Sequence, residues 1–429
     1  MAAPKWAPTA KPVADVWTLT PGGTIEAGDI FITTIGGKSV SVSATSTTVA
    51  SVCDDLVAAL QALDVADYPE FAEYTFADAT TAVTATANKT GIPGTISVTT
   101  TESNGGAADA QTYVATHTTT GTGPNSWDNT ANWSTGAIPA NSDTVTIENS
   151  DVDILYGIDQ NAVAVTSLTI PATYTGKIGL PRRNPAGYAE YRETYLKIGS
   201  TTVTIGQGNG PGSRRIKLNV GSTACTCNVN GSGSELESGV EAILFIGSDS
   251  GNVLNVTQGS VGVAIFAGET ANLSGGVRIG YESNQTSDAK VTLGSGVTLA
   301  TVIQTGGEAI INGSMTTVNR HGGEMTQRGT GTLTTLNNFG GTFFDESTGT
   351  MTTLNNYADF DRRRVISSKT ITNSKMYAGA RLWAPSGSAS PAFGITFTNA
   401  TEFHGCAPGD DRGTLFDVGM HKKFTWADI

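Results

Sequence analysis

The sequence is short of charge. Only 15% of its 429 residues are Asp, Glu, Lys or Arg, where roughly a quarter is usual in a soluble domain. That excludes a helical bundle or coiled coil, which needs abundant Glu, Lys, Leu and Arg in helical spacing. Disorder is excluded for the opposite reason: a chain that is 38% hydrophobic and sparsely charged can bury a core. Net basic charge is also lacking. At a formal −13 the chain has no surface suited to releasing phosphate counterions, so nucleic acid is not an expected partner. The small basic clusters Arg182-Arg183, Arg214-Arg215 and Arg362 to Arg364 read as turns or subunit contacts. Cysteine is scarce, with four residues at 53, 225, 227 and 406. They show no zinc spacing and are too few for a disulfide framework, and Cys225 and Cys227, sharing a strand face, do not reach disulfide geometry. The four histidines, at 117, 321, 404 and 421, are scattered. No HExxH, GxSxG or P-loop string occurs, so neither cofactor nor metal is expected. No long apolar run is present, and MAAPKWAPTAKPVADVW has no apolar stretch of signal-peptide type. A chain made in the cytoplasm, without a membrane span, is expected.

What the chain has in excess is Gly, at 52 residues, with Thr, Ser, Asn and Ala. Thr and Val favour pleated structure and Gly and Asn supply corners, so the fold class is all-β with many short strands. Residues 1–15, rich in Pro, Ala and Lys, read as an extended arm whose length suits a neighbouring subunit. Residues 16–122 read as a small β-sandwich-like domain. GDIFITTIGGKSVSVSA alternates about Gly36-Gly37, the two-residue hairpin signal. Val52, Leu56, Leu60 and Leu63 recur at helical spacing, with Thr47 or Thr48 as the cap of one helix. Residues 123–142 carry Trp127 and Trp133 among Asn and Asp. Large amphipathic rings of this kind suit the exposed end of a stacked β structure, whose first layer has nothing beneath it.

Beyond Ile303 the chain repeats itself. Asn319, Asn337, Asn355 and Asn373 lie 18 residues apart, as do Met315, Leu333 and Met351, and Val318, Leu336 and Leu354. GTLTTLNNFGG returns as GTMTTLNNYAD. Such a period, with short Thr/Leu strands and an Asn-Asn corner, predicts a solenoid over 143–392 with coils of roughly 18 to 24 residues. Stacking at ~4.8 Å puts each residue beside its own copy, so Leu and Met stack inside and Asn forms an amide ladder at the corner. It also accounts for the missing charge, since an ionised residue in every coil would sit ~4.8 Å from its like. Stepping by six from Met315 gives His321, Gln327, Leu333, Phe339 and Asp345. This fails the hexapeptide rule of left-handed solenoids, so a right-handed parallel β-helix is expected. Residues 393–429, with Phe397, Phe403, Phe416, Phe424, Trp426 and Cys406, read as an aromatic cap or subunit contact.

For chemistry, Glu308 and Glu324 each follow a Gly-Gly pair and should stack one coil apart, the one candidate for a catalytic acid/base pair. A Gly-Gly-Glu corner is, however, most simply a solvated turn. Asp359, Asp361, Arg362, Arg363 and Arg364 form a charged patch read as an inter-subunit salt-bridge set.

The Trp127…Trp133…Pro139…Asp143…Val145…Ile147 opening, the small domain from GGTIEAGDIFITTIGGKSVSVSA onward and the 18-residue repeat together resemble virion structural proteins of tailed bacteriophages that carry a parallel β-helix, of the spike, fibre or capsid-decoration type. The resemblance implies a non-enzymatic homotrimer bound to capsid or tail proteins, with its N-terminal part on the particle. Two alternatives stay open: a tailspike that hydrolyses or eliminates host surface polysaccharide, and a bacterial surface adhesin.

Overall fold

The computed structural model describes residues 3–102, 110–233, 239–280, 288–362, 364, 367–383, 395–404 and 415–417. The N-terminal domain pairs two antiparallel sheets. One has the order Tyr74–Asp78 (β4), Val83–Ala87 (β5), Val16–Gly23 (β1), Gln111–Thr119 (β7); the other has Lys38–Ser43 (β3), Ile30–Ile35 (β2), Ile96–Thr101 (β6). The β2–β3 hairpin closes through Gly36 at φ +58° and Gly37 at φ +83°. Both corners need positive φ, which is why this turn takes two glycines. The helix Val49–Gln61 (α1) buries Val52, Cys53, Leu56 and Leu60 on one face, and Thr48 caps it by accepting from the Ser51 amide at 3.4 Å. Each such side chain, fully buried, contributes roughly 1.5–3 kcal/mol. Cys53 on this face is pushed up to about 11, chiefly by burial, and is inert at neutral pH.

From Thr144 the chain builds a parallel β-helix with a 24-stranded sheet. Two ladders run along it. In the regular stretch the first comprises Thr301–Gln304, Met315–Arg320, Leu333–Asn338 and Met351–Asn356, and the second comprises Glu308–Ile311, Glu324–Gln327, Thr342–Asp345 and Asp359–Asp361. Met315, Leu333 and Met351 stack in the core, as do Val318, Leu336 and Leu354, while Phe343 stacks on Phe360 at 5.6 Å from the second ladder. Coil length varies more than the repeat suggests. Val302 faces Val318, 16 positions on, whereas Cys227 faces Leu254, 27 positions on. The extra residues of the earlier coils lie between strands, where a solenoid tolerates insertion. Cys225 and Cys227 are free and buried in this core. The solenoid and the N-terminal domain have separate hydrophobic cores.

Two readings of the chain ends are corrected. The arm does not reach away from its own chain: Lys5 pairs with Thr146 in parallel, Trp6 with Trp133, and Val13 with Thr122. The arm thereby covers the strand edge at Thr144–Thr146, which would otherwise present unpaired amides. Trp6 completes a ring cluster with Trp133 (5.3 Å) and Trp127 (4.6 Å from Trp133), all of it buried. Trp127 donates to Gln160 and Trp133 to the Trp127 carbonyl, which satisfies both indoles. At the other end Ile395–Phe397, Glu402–His404 and Leu415–Asp417 continue both ladders, so the solenoid runs past residue 392. The remainder of the aromatic segment, with Cys406, Phe424 and Trp426, lies outside the described residues.

Candidate functional site

Glu308 and Glu324 are direct partners across adjacent strands and both are exposed. Their neighbours Ala309, Met325 and Phe343 turn into the core, so the carboxylates project from the outer side of the sheet. The column they occupy reads Lys290, Glu308, Glu324, Thr342, Asp359, Arg381. It is a charged stripe of both signs, in which Arg381 lies 3.9 Å from Asp359.

The charged run 359–364 is divided by the fold. Asp359 is on the outer stripe, but Asp361 is buried and Arg362 is only 1% exposed. Arg362 therefore is not an interface residue. Its guanidinium pairs with Asp345 at 3.0 Å and donates to the Ser347 and Ser367 carbonyls, and Lys369 joins the same carboxylate at 3.1 Å. The side chains of Asp345, Arg362 and Lys369 are wholly shielded from solvent. Burial, partly opposed by Asp345, lowers the Lys369 ammonium below its ordinary range. Arg364 is exposed and lies over the Phe344 ring at 3.6 Å, and Arg363 is outside the described residues.

The amide ladder holds at Asn319, Asn337 and Asn355: Asn337 Nδ2 donates to Asn319 Oδ1 and Asn355 Nδ2 to Asn337 Oδ1, both at 2.8 Å. Asn373 is not its fourth member. That coil is two residues longer, so Asn373 faces Thr353 and Lys375 takes the ladder position. A second polar ladder, unsuspected from spacing, lies one residue further on and points inward. Gln304 Oε1 accepts from Arg320 Nε at 2.9 Å, Arg320 Nη1 donates to Asn338 at 2.7 Å, and Asn338 donates to Asn356 at 2.7 Å. Next along the chain, exposed rings stack in a column that ends on the half-buried Tyr377: His321 on Phe339 at 5.0 Å, Phe339 on Tyr357 at 5.2 Å and Tyr357 on Tyr377 at 3.7 Å.

The strongest contact between the two parts of the molecule is also absent from the sequence reading. A long coil between Lys177–Ile178 and Leu196–Ile205 carries Tyr188, Tyr191 and Arg192 onto the N-terminal domain. Arg192 binds Glu73 through Nη2, Glu190 through Nη1 at 3.0 Å and the Pro93 carbonyl through Nε at 2.6 Å. Glu73 also accepts from the hydroxyls of Tyr188 and Tyr191. The Tyr191 ring lies so close to Gly36 that a Cβ there would sit 2.8 Å from it, and the Gly36-Gly37 turn thus serves the junction as well as the hairpin. Nearby, the buried Asp15 carboxylate gathers Tyr74, Trp17, His117 and the Gly94 and Gly121 amides at 2.7–3.2 Å, fixing the arm to the domain. The one sequence signal was YAEYRETY at 188–195, dense in rings and charge within a chain poor in both.

No family model, curated protein or solved structure matches the chain. Its function is therefore argued from its geometry. Among the described residues no group of His, Cys, Asp and Glu is arranged to hold a metal ion.

Proposed function

We propose that the chain is a structural protein of a tailed-bacteriophage particle, attached by its N-terminal part and displaying the β-helix as a capsid decoration, head fibre or tail fibre. The observation that carries this reading is the clamp of Arg192, Tyr188 and Tyr191 on Glu73. A small domain held this firmly to the base of a stacked rod passes its own orientation to the rod, as a display element requires. The rod's outer columns of Thr and Asn suit a surface exposed to solvent along its length. The column of Phe339 and Tyr357, the large exposed aromatics among the described residues, is the face assigned to contact between copies in a homotrimer. Capsid or tail proteins are the partners of the N-terminal domain.

The test is direct labelling of purified particles with antibodies against the chain, combined with sedimentation of the isolated protein. Label on the particle and a trimeric mass are expected. Particles that carry no chain would overturn the assignment, and a stable monomer would remove the trimer.

One observation favours a second reading, in which the rod cleaves host surface polysaccharide: Glu308 and Glu324 stand in register on one open face. The Glu308→Gln/Glu324→Gln variant separates the two. A wild-type chain that leaves capsule intact, with unchanged host binding by the variant, retains the structural role alone. Cleavage abolished by the double substitution assigns the pair to catalysis.

A further inference from the structure

Between the N-terminal domain and the rod lies a cleft of about 500 Å³, within the ~300–1,000 Å³ of small-molecule sites, which favour domain boundaries. Tyr74, Lys89 and Ile92 line it from the domain, and Tyr156, Asn184 and Arg192 from the rod. Most of its polar groups are already engaged. Arg192 is held by Glu73 and Glu190, and Asn184 donates to Glu190. Two groups are not: the Tyr156 hydroxyl and the Lys89 ammonium have no partner among the described residues. The phenol of Tyr156 is pushed up to about 12, chiefly by burial, so it stays protonated and can both donate and accept.

We infer that this cleft binds a neutral saccharide of one or two rings. Arg192 at its wall is already paired with Glu73 beside it and with Glu190, which lies outside the lining, so with Lys89 these groups carry no net charge. A phosphate or carboxylate would find Arg192 already engaged and would face the Glu73 carboxylate. Hydroxyl groups, which both donate and accept, match the two open partners, while the rings of Tyr74 and Tyr156 with Ile92 offer flat apolar surface to the C–H face of a pyranose. The site exists only while the coil bearing Arg192 rests on the domain, and it does not depend on where the chain sits on a particle.

The experiment uses the full chain with glucose, galactose, N-acetylglucosamine, maltose, lactose and chitobiose as probes, read by saturation-transfer NMR and titration calorimetry. At least one sugar should bind in the millimolar range. The Tyr156→Phe/Lys89→Ala double variant, which removes two groups without partners and leaves the clamp intact, should weaken binding about tenfold, the loss of roughly 1.4 kcal/mol. Ala186→Trp, which fills the cleft from an exposed turn, should abolish it. Arg328→Gln on the rod's exposed surface should leave it unchanged. No binding by any of the six sugars at 50 mM (roughly −1.8 kcal/mol at the weakest), or undiminished binding by either cleft variant, overturns the inference.

Discussion

The early and late coils of the same rod solve the same packing problem in different ways. Between Met315 and Asn356 most positions of the first ladder repeat from rung to rung: Val318, Leu336 and Leu354 fill one core position, and Thr317, Thr335 and Thr353 one outer position. Between Thr226 and Leu299 the paired core residues change from rung to rung, as Cys227, Leu254 and Val277 do, and a short side ladder of Ala271–Leu273 with Val297–Leu299 is added. The early part gives up repetition for long loops, and one such loop, before Leu196, holds the N-terminal domain. Rung-to-rung identity thus belongs to the free length of the rod, and irregularity to its attachment.

The largest effect should come from the late coils, where a polar cluster is enclosed. Asp345→Leu leaves Arg362 and Lys369 without their carboxylate in the core, and removal of one partner from a buried ionic set costs about 3–5 kcal/mol. A fall in the urea midpoint with an unchanged slope is expected; a midpoint equal to wild type would refute the enclosed cluster. Next is a direct comparison of coils. Leu336, fully buried between Val318 and Leu354, should lose about 3–5 kcal/mol on truncation to Ala, and Leu299, 7% exposed and paired across strands with Leu273, about 2. Equal losses would mean that the repetitive rungs pack no better than the irregular ones. At the attachment, Arg192→Ala removes charge-assisted bonds to Glu73 and Glu190, a loss of about 2–3 kcal/mol. It should appear as faster hydrogen exchange at 88–94 and 188–195 while the late coils keep their protection. Uniform exchange change along the rod would show that the clamp is not local.

The difference between coils also decides what could be read from sequence. The late coils were legible because a constant length makes identical residues recur at identical spacing, and the inward Leu/Met columns follow from that alone. Asn373 misled for the same reason: an 18-residue count continues through it, but two inserted residues shift the register before it. Arg362 was misplaced because charge in a run is normally solvated, and only the buried hydrogen-bonded group of Asp345, Ser347 and Lys369 shows that a partner awaits it. The inner ladder from Gln304 to Asn356 was hidden since Gln, Arg and Asn share no residue type, although they share a position. The Arg192 clamp depends on contacts across more than a hundred residues of sequence, which no local pattern reports. Trp127 and Trp133 stood out in the sequence through their size, whereas Trp6, which packs with them, lay in a segment that composition alone marked as an arm.

Smaller effects sharpen the contrast between the outer and inner faces of the late rungs. Asn337→Ala removes one amide donor and one acceptor from a half-buried ladder, and water can replace part of each bond, so about 1 kcal/mol is expected in the urea midpoint.

Lys369→Met should have the smallest effect and the opposite sign at neutral pH. Asp345 keeps Arg362 as its partner, and a desolvated cation that leaves the cluster with more positive than negative charge is replaced by an apolar chain of similar length. Buried charges exchanged for packed apolar groups are commonly neutral or stabilising, here by up to about 1 kcal/mol. The pH dependence follows from the lowered folded-state pKa of Lys369. Below that value both folded and unfolded lysines are charged, and the folded chain bears the full desolvation cost. As pH rises through it the folded state releases its proton first, so wild-type stability increases until the unfolded lysine also titrates, near ~10.5. The advantage of Lys369→Met should therefore be greatest near pH 7 and shrink as pH approaches that range. Urea midpoints of both chains from pH 7 to pH 10 measure it, and a variant that is markedly less stable at pH 7 would show that Asp345 requires both cations.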